Sequence, residues 1–368
     1  MTTEPLPILL FPTLVQKLVI QEMDPFNQMD LSKCSIRCKN TVKSSCKNQW
    51  SAVIKIRNHI NIKLYKKNDS SKYWNIIITD KNPSELPEVS PEFQEMTRII
   101  QSDDEMSKME ETVSSHHDIL KLHSIAMAFL EFGKHQNEIE RVLKFLNTDL
   151  PKIEMVYLGI KDPVRNLTAS EYKCLLENSS SIENIHIETE IENPDKLPVT
   201  LNVNMFSNYS RWVRLEDIHS LNCNALMLKC TLFKNDNVVE FVRFWLNGGN
   251  PGIREFIFQM ENIDYEYIGR SLGAEARDPE LVRTFTDYFG MEAKVFGGFD
   301  IRRESDQMLA TIYLDVNCSC GSCLAFVVWK DLVYHFSPLC TALSIKELIK
   351  KYGSTGRLAE LNPPANQI

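Results

Sequence analysis

The first strong pattern of apolar positions lies near the start of the chain, between Phe11 and Arg37. Apolar residues recur there at helical spacing and predict a first helix with a wide apolar stripe, formed by Leu14, Val15, Leu18, Val19 and Met23. Asp24-Pro25 ends this helix and begins a second, because aspartate caps helices and proline suits the first helical position. A third helix is expected from about Cys34 to Cys46.

These three short helices carry more apolar side chains than they can bury among themselves. A unit of roughly 40 residues is marginal alone and usually needs a partner. We therefore expect a docking surface here. The alternative is an ordinary helical cap packed on a larger domain.

The pattern changes after the helices. β-branched and aromatic residues alternate from Ser51 to Thr79, which predicts two or three strands. Residues 81–118 are interrupted by prolines and rich in aspartate and glutamate, which predicts an acidic, flexible loop. A regulatory segment around Ser102 is the alternative interpretation of that loop.

Helical and strand patterns alternate from about residue 120 to residue 260. Thr168 and Glu171 form a capping-box pattern at the start of one helix. We expect Asp236 to cap another helix and Gly248-Gly249 to end it. Phe206, Tyr209 and Trp212 have helical spacing. The apolar positions of one strand recur 29 residues later in the next (Ile153, Val156 and Leu158 against Ile182, Ile185 and Ile187). This period is typical of a leucine-rich-repeat-like stack of helix–strand units.

The C-terminal part reads as an antiparallel β-meander over residues 292–330. Gly297-Gly298 predicts a hairpin turn between two of its strands. Ala310, Ile312 and Leu314 alternate with polar positions in a further strand. A last helix is expected over Ser344–Lys351, followed by a loose tail at 355–368.

Composition and charge narrow the class of protein. The 368 residues are 43% apolar and 24% charged, which is ordinary globular composition. The net charge of −8 argues against nucleic-acid binding, which favours a basic surface. No apolar run approaches the roughly 18 residues of a membrane span, and no signal peptide is recognisable. Ten cysteines without a secretory signal indicate reduced thiols and a cytoplasmic or nuclear location.

The N-terminal pattern resembles the F-box, and its particular residues resemble those of the large nematode group of F-box proteins. The resemblance rests on Phe11-Pro12, Leu18-Val19, Met23, Asp24-Pro25, Leu31-Ser32, Cys34-Ser35 and Arg37. Phe11 replaces the usual leucine, and Cys38 stands where an aromatic residue is common. The resemblance implies docking on a Skp-type adaptor and, through it, on a cullin. The adaptor-binding residues it implies are Phe11, Pro12, Leu14, Leu18, Met23, Pro25, Leu31 and Ser32.

A second stretch, roughly residues 200–260, resembles the F-box-associated domain of the same proteins. It contains the segment with Trp212, the run Leu221-Asn-Cys223, and Phe244-Trp245-Leu246 followed by Gly248-Gly249. The segment Gly297–Arg303, followed by Ala310–Ile312, resembles the C-terminal part of these nematode F-box proteins. In that family this region is taken to recognise the substrate. Aromatic residues at helical spacing are otherwise core residues, which is the alternative for Trp212, Phe244 and Trp245.

The candidate chemistry is sparse. Cys318, Cys320 and Cys323 offer three soft ligands, with Cys340 or His335 as a possible fourth, but their spacing does not match a zinc knuckle. We expect reduced cysteines in a turn, and no metal or cofactor. The sequence contains neither a phosphate-binding loop nor a nucleophile elbow, and the histidines have no ligand spacing.

These patterns together predict a chain of class α+β or α/β. We divide it into an F-box at 8–48, a β-rich connecting segment at 50–80, the acidic loop at 81–118, an F-box-associated, repeat-like domain at 120–340 and the tail.

The expected function is that of a non-catalytic substrate-recognition subunit of a Skp–cullin–F-box (SCF) ubiquitin ligase. Its partners would be the adaptor and an unidentified target protein, with neither nucleic acid nor membrane involved. One alternative is an interaction scaffold outside any ligase, in which Leu18 and Leu31 are buried. The other is a metal-dependent or thiol enzyme centred on the three clustered cysteines.

Overall fold

Three short helices open the described part of the computed structural model. They are α1 (Thr13–Glu22), α2 (Pro25–Cys34) and α3 (Ile36–Ser45), preceded by a 3-10 turn at Ile8–Leu10. The Asp24 carboxylate accepts a hydrogen bond from the Asn27 amide at 2.9 Å and caps α2, as predicted. Ser35 caps α3 in the same way.

The structure describes residues 8–46, 49–67, 69–82, 85, 94, 96–130, 137–148, 150–159, 166–192, 203–207, 210–211, 213–220, 222–287, 292–315 and 323–329. Two compact units divide the chain, and among these residues the first unit ends at Glu154 and the second begins at Met155. At the level of class the chain is α+β, as expected.

The first unit contains a mixed sheet beside the three helices. Its strands are β1 (Trp50–Ile56), β2 (Ile60–Lys66), β3 (Asp69–Thr79), β4 (Thr97–Gln101) and β5 (Ile125–Phe129). Their order is β5-β1-β2-β3-β4, with β1–β2 and β2–β3 antiparallel and β1–β5 and β3–β4 parallel. Helix α4 (Glu105–Leu120) lies between β4 and β5 in sequence, and α5 (Glu138–Leu146) follows.

The prediction of a loop over 81–118 is wrong for its second half. Strand β4 and most of helix α4 occupy residues 97–118. Helix α4 buries Met106, Met109 and Val113. The acidic composition of this segment therefore reflects the solvent-exposed face of a helix and not a flexible loop. The proposed limits of the domains stay predictions.

The second unit alternates strands and helices along the chain. In order they are β6 (Ile153–Leu158, which contains the division), α6 (Ala169–Glu177), a 3-10 turn (Ser179–Ser181), β7 (Ile182–Ile187), β8 (Asn204–Ser207), α7 (Leu215–His219), β9 (Ala225–Leu228), α8 (Asn235–Leu246), β10 (Glu255–Gln259), α9 (Tyr265–Leu272), β11 (Glu275–Ala276), β12 (Val282–Thr286), β13 (Glu292–Phe296), β14 (Phe299–Arg302), β15 (Leu309–Asp315) and β16 (Cys323–Val328). The capping box of Thr168 and Glu171 at the start of α6 is confirmed.

The strands of this unit form one sheet and a separate ribbon. The sheet order is β6-β7-β8-β9-β10-β16-β15-β14-β11; β7 to β10 run parallel, and β10 to β11 along that order pair antiparallel. The ribbon consists of β12 and β13. The repeated helix–strand order fits stacked units, and the leucine-rich-repeat-like arrangement stays a prediction.

Three local predictions in this unit are wrong. Phe206 lies on strand β8 rather than on a helix, and the N-cap of α8 is Lys234 rather than Asp236. Gly297-Gly298 does not close a hairpin, because β13 pairs with β12 while β14 pairs with β15. Both glycines have positive φ angles (57° and 101°), which lets the chain turn from the ribbon into the sheet.

The core of the second unit is aromatic where α8 covers the sheet. Phe241 and Trp245 contact Phe326 edge to face, and Phe241 also contacts Phe256. All four side chains are almost fully buried, so the alternative that Trp245 is a core residue is confirmed. Several predictions fall outside the described residues: those on Tyr209, Trp212, Leu221, Cys318, Cys320, His335, Cys340, the helix at 344–351 and the tail.

Candidate docking surface

One face of α1 exposes an unusually apolar set of side chains. These are Leu14, Val15, Leu18 and Val19; with the exposed Leu10 of the preceding 3-10 turn and Ile36 at the start of α3, they form the set that we call the apolar patch. Leu14 and Leu18 are 68% and 55% exposed, and they follow each other by one helical turn. The opposite face of α1 buries Gln16 and Ile20 instead. This inverted arrangement, with leucines outside and a glutamine inside, is opposite to that of a helix that only serves a core.

The buried glutamine of α1 holds the start of the chain against the helix. The Gln16 Nε2 group donates hydrogen bonds to the carbonyl oxygens of Phe11 (2.7 Å) and Leu9 (3.2 Å). The Arg37 guanidinium donates to the same Leu9 oxygen at 3.0 Å. The turn that carries Leu10 is therefore fixed to both α1 and α3, which keeps the apolar patch in one place.

A second buried glutamine connects α1, α2 and the sheet of the first unit. Gln28 is fully buried, and its Nε2 group donates to the carbonyl oxygens of Ile20 (2.7 Å) and Met23 (3.1 Å). Its Oε1 atom accepts a hydrogen bond from the indole of Trp50 at 2.9 Å. Because a buried amide must satisfy both its donor and its acceptor, this network sets the angle between the helices.

Charged side chains attach α2 to the rest of the first unit. The Arg98 guanidinium pairs with the Asp30 carboxylate at 2.5 Å and lies over the Phe26 ring. This hydrogen bond lowers the pKa of Asp30 despite partial burial. The contact places α2 beside β4 on the side of the helix that carries Phe26.

A matching contact attaches α3 to α4. Lys43 and Lys39 both pair with the Asp118 carboxylate, at 2.5 Å and 3.1 Å. The Lys43 hydrogen bond is the main reason that the pKa of Asp118 is lowered. Half-exposed pairs of this kind contribute little stability each, so their role is orientation.

The predicted adaptor-binding residues separate into three groups. Pro12, Leu14 and Leu18 are exposed, whereas Phe11, Met23 and Leu31 are half-buried. Pro25 and Ser32 are buried, and the Ser32 hydroxyl donates to the Met29 carbonyl oxygen at 2.6 Å. The last two therefore belong to the packing of α2 and are not part of its exposed surface.

The structure adds four exposed residues that were not among the predicted contacts. Val15 and Val19 belong to the same helical stripe as Leu14 and Leu18, so the periodicity already indicated them. We include Leu10 and Ile36 because the 3-10 turn is hydrogen-bonded to α1 and α3, and α3 packs on α1. Cys38, one of the two positions that depart from the family pattern, is buried.

The described residues were compared with the alternative of a metal site. None of their histidine, cysteine, aspartate and glutamate side chains form a group of three that could hold a metal ion. Cys323, one of the three clustered cysteines, is fully buried on β16. No helix within the described ranges is both long and apolar enough to cross a membrane.

A family model described as F-box associated matches residues 178–258. This match spans β7 to β10 with the intervening helices, and it supports an F-box-type protein. It contains no residue of α1, α2 or α3. No curated protein matches the chain.

Proposed function

We propose that this protein is a non-catalytic substrate-recognition subunit of an SCF ubiquitin ligase. Its N-terminal helices bind a Skp-type adaptor, which connects it to a cullin, and its second unit binds the target protein. The protein acts in the cytoplasm or the nucleus. The observation that carries the proposal is the apolar patch on α1, exposed on helices that are otherwise fastened to the first unit.

The patch has the chemistry of a protein-binding surface. Large aliphatic side chains that remain exposed together on one face mark interaction sites, whereas scattered ones do not. Burying the exposed part of one leucine contributes about 1–2 kcal/mol. Several such side chains on a rigid scaffold are enough to anchor a partner without reorganising the helices.

The second unit supports the other half of the proposal through its family match. A protein that binds an adaptor at one end and a target at the other raises the effective concentration of the target near the ubiquitin-charged enzyme. Such a role needs no catalytic group in this chain. The scaffold alternative expects Leu18 and Leu31 to be buried. Leu18 is 55% exposed, which favours the docking function, whereas Leu31 is half-buried and does not separate the two.

Binding of a purified Skp-type adaptor to the full chain tests the proposal. We expect measurable affinity by calorimetry, and we expect the double substitution Leu14→Ser, Leu18→Ser to weaken it by about thirtyfold or more. The thermal stability should change little, because both side chains are exposed in the free chain. No binding by the intact chain would refute the proposal.

The matched control is the double substitution Leu232→Ser, Leu281→Ser. These two leucines are also exposed, at 66% and 42%, but they belong to the second unit. The control should bind the adaptor as the unsubstituted chain does. If both double variants lose affinity equally, the loss does not come from the apolar patch, and the assignment of the patch fails.

A further inference from the structure

Two adjoining depressions follow the carboxyl ends of β9 and β10 in the second unit. Their volumes are about 740 and 430 Å³, and they share Asn235, Glu261 and Asn262. We call them together the post-strand groove. Because β9 and β10 are parallel, the groove has the position at which α/β sheets commonly bind ligands.

Side-chain hydrogen bonds hold the two loops of the groove together. Asn235 donates from Nδ2 to the Asn262 carbonyl oxygen at 3.2 Å and accepts from the Asp264 amide at 3.0 Å. The Thr231 hydroxyl donates to the Gln259 carbonyl oxygen at 2.7 Å. The groove is thus built before any ligand arrives, which lowers the entropy cost of binding.

The walls of the groove combine apolar surface with negative charge. Leu232 is 66% exposed and Tyr267 is 38% exposed. Among the residues that the structure describes, the charged ones that line the two depressions are three carboxylates and one ammonium group: Asp236, Glu261, Asp264 and Lys234. The balance of charge therefore favours a cationic ligand with an aliphatic part.

The amino ends of α8 and α9 also meet the groove, and helix amino ends attract anions. Carboxylates already lie at both ends: Asp236 is in the first turn of α8, and Asp264 caps α9. Asn237 accepts from the Lys234 amide, and Asp264 accepts from the Tyr267 amide, each at 2.9 Å. Asp236 accepts from the Tyr267 hydroxyl as well. The carboxylates consequently determine the sign of the field in the groove.

We propose that the post-strand groove binds a short extended segment of the target protein in which lysine or arginine flanks an aliphatic side chain. The aliphatic side chain packs on Leu232 and Tyr267, and the cations face Glu261 and Asp236. This inference rests on the proposed function, because it names the chemistry of the target. It places recognition in loops that follow the matched strands β9 and β10.

Fluorescence anisotropy with the full chain tests the inference. The probes are three labelled peptides: one with arginines on both sides of a leucine, one with glutamates in place of the arginines, and one with serine in place of the leucine. We expect the first to bind roughly tenfold more tightly than either of the others. Its affinity should fall as the salt concentration rises.

Charge reversal at Glu261 makes the test specific. Glu261→Lys should weaken the arginine peptide by about fivefold and strengthen the glutamate peptide. Glu292→Lys is the matched control, since it makes the same change in net charge at an exposed position that does not line the groove. It should change either affinity by less than about twofold.

Equal binding of the three peptides, or equal effects of the two charge reversals, would overturn the inference. Adaptor binding measured on the same preparation separates the two proposals. A chain that binds the adaptor but shows no preference for the arginine peptide refutes the groove alone. A chain that selects this peptide but fails to bind the adaptor refutes the ligase function and leaves the groove as a peptide site.

Discussion

Replacement of Gln28 by methionine tests whether buried polar contacts orient the N-terminal helices. Methionine keeps the length of the side chain and adds no charge, so the change removes hydrogen bonds without opening a large cavity. Three hydrogen bonds are lost: two from Nε2 to the oxygens of Ile20 and Met23, and one from the Trp50 indole to Oε1.

The expected loss of stability follows from burial. Gln28 is fully buried and Trp50 is 1% exposed, so water does not replace the missing partner. An indole N–H left unsatisfied in this position costs about 1–3 kcal/mol, while the Ile20 oxygen keeps its bond from the Met23 amide. We therefore expect a loss of about 2–3 kcal/mol for Gln28→Met. Gln28→Ala should lose more, because it also leaves a cavity.

Hydrogen exchange read by mass spectrometry measures this loss locally. The chain divides into two compact units, so we follow peptides from α1, α2 and β1, which belong to the unit that contains Gln28. Gln101→Ala is the control, because this glutamine is exposed on β4 of the same unit. Unchanged protection of α1 and β1 in Gln28→Met would refute the reasoning that this side chain fixes the helices.

Two further predictions concern a buried carboxylate and a strained helix end. Asp300 is buried between Arg277 and Arg283, at 2.7 and 3.0 Å. Burial raises its pKa, but hydrogen bonds from Thr311 and both guanidinium groups outweigh this and lower it. The ionised carboxylate therefore stabilises the fold at pH values above its pKa in the unfolded chain. This stabilisation is lost as the pH falls through its pKa in the folded chain. Asp300→Asn should therefore lower the free energy of unfolding by about 2–3 kcal/mol at neutral pH, a value that already allows for the one-third exposure of Arg277. Urea unfolding measures this loss, and the difference from the unsubstituted chain should shrink below about pH 4. A difference that does not vary with pH would contradict the prediction. Lys121 ends α4 with a φ angle of 52°, a left-handed conformation that favours glycine. Lys121→Gly should therefore raise the free energy of unfolding by about 0.5–1 kcal/mol in the same assay. A decrease would contradict this prediction.

Local signals in the sequence predicted local structure well. The cap at Asp24, the capping box at Thr168 and the glycine end of α8 depend only on residues a few positions apart, and all three are present. The alternation of Ala310, Ile312 and Leu314 predicted strand β15 in the same way, and β15 pairs antiparallel with β14 and β16. Short-range preferences of this kind survive in the fold when tertiary contacts agree with them.

The errors occurred where distant residues decide the outcome. Gly297-Gly298 has the chemistry of a hairpin, but the partner of β13 is β12, a strand that the pattern did not indicate. The acidic segment contains a helix because its apolar residues meet α2 and the sheet of the first unit. Charge composition does not report such contacts.

The candidate surface shows the same division. The spacing of Leu14 and Leu18 determined by itself that α1 has an apolar stripe. Only the tertiary structure decided which way that stripe faces, because the buried hydrogen bonds of Gln16 and Gln28 turn the opposite face of the helix inward. A periodic pattern defines a face of a helix, and the partners available around it determine whether that face is core or surface.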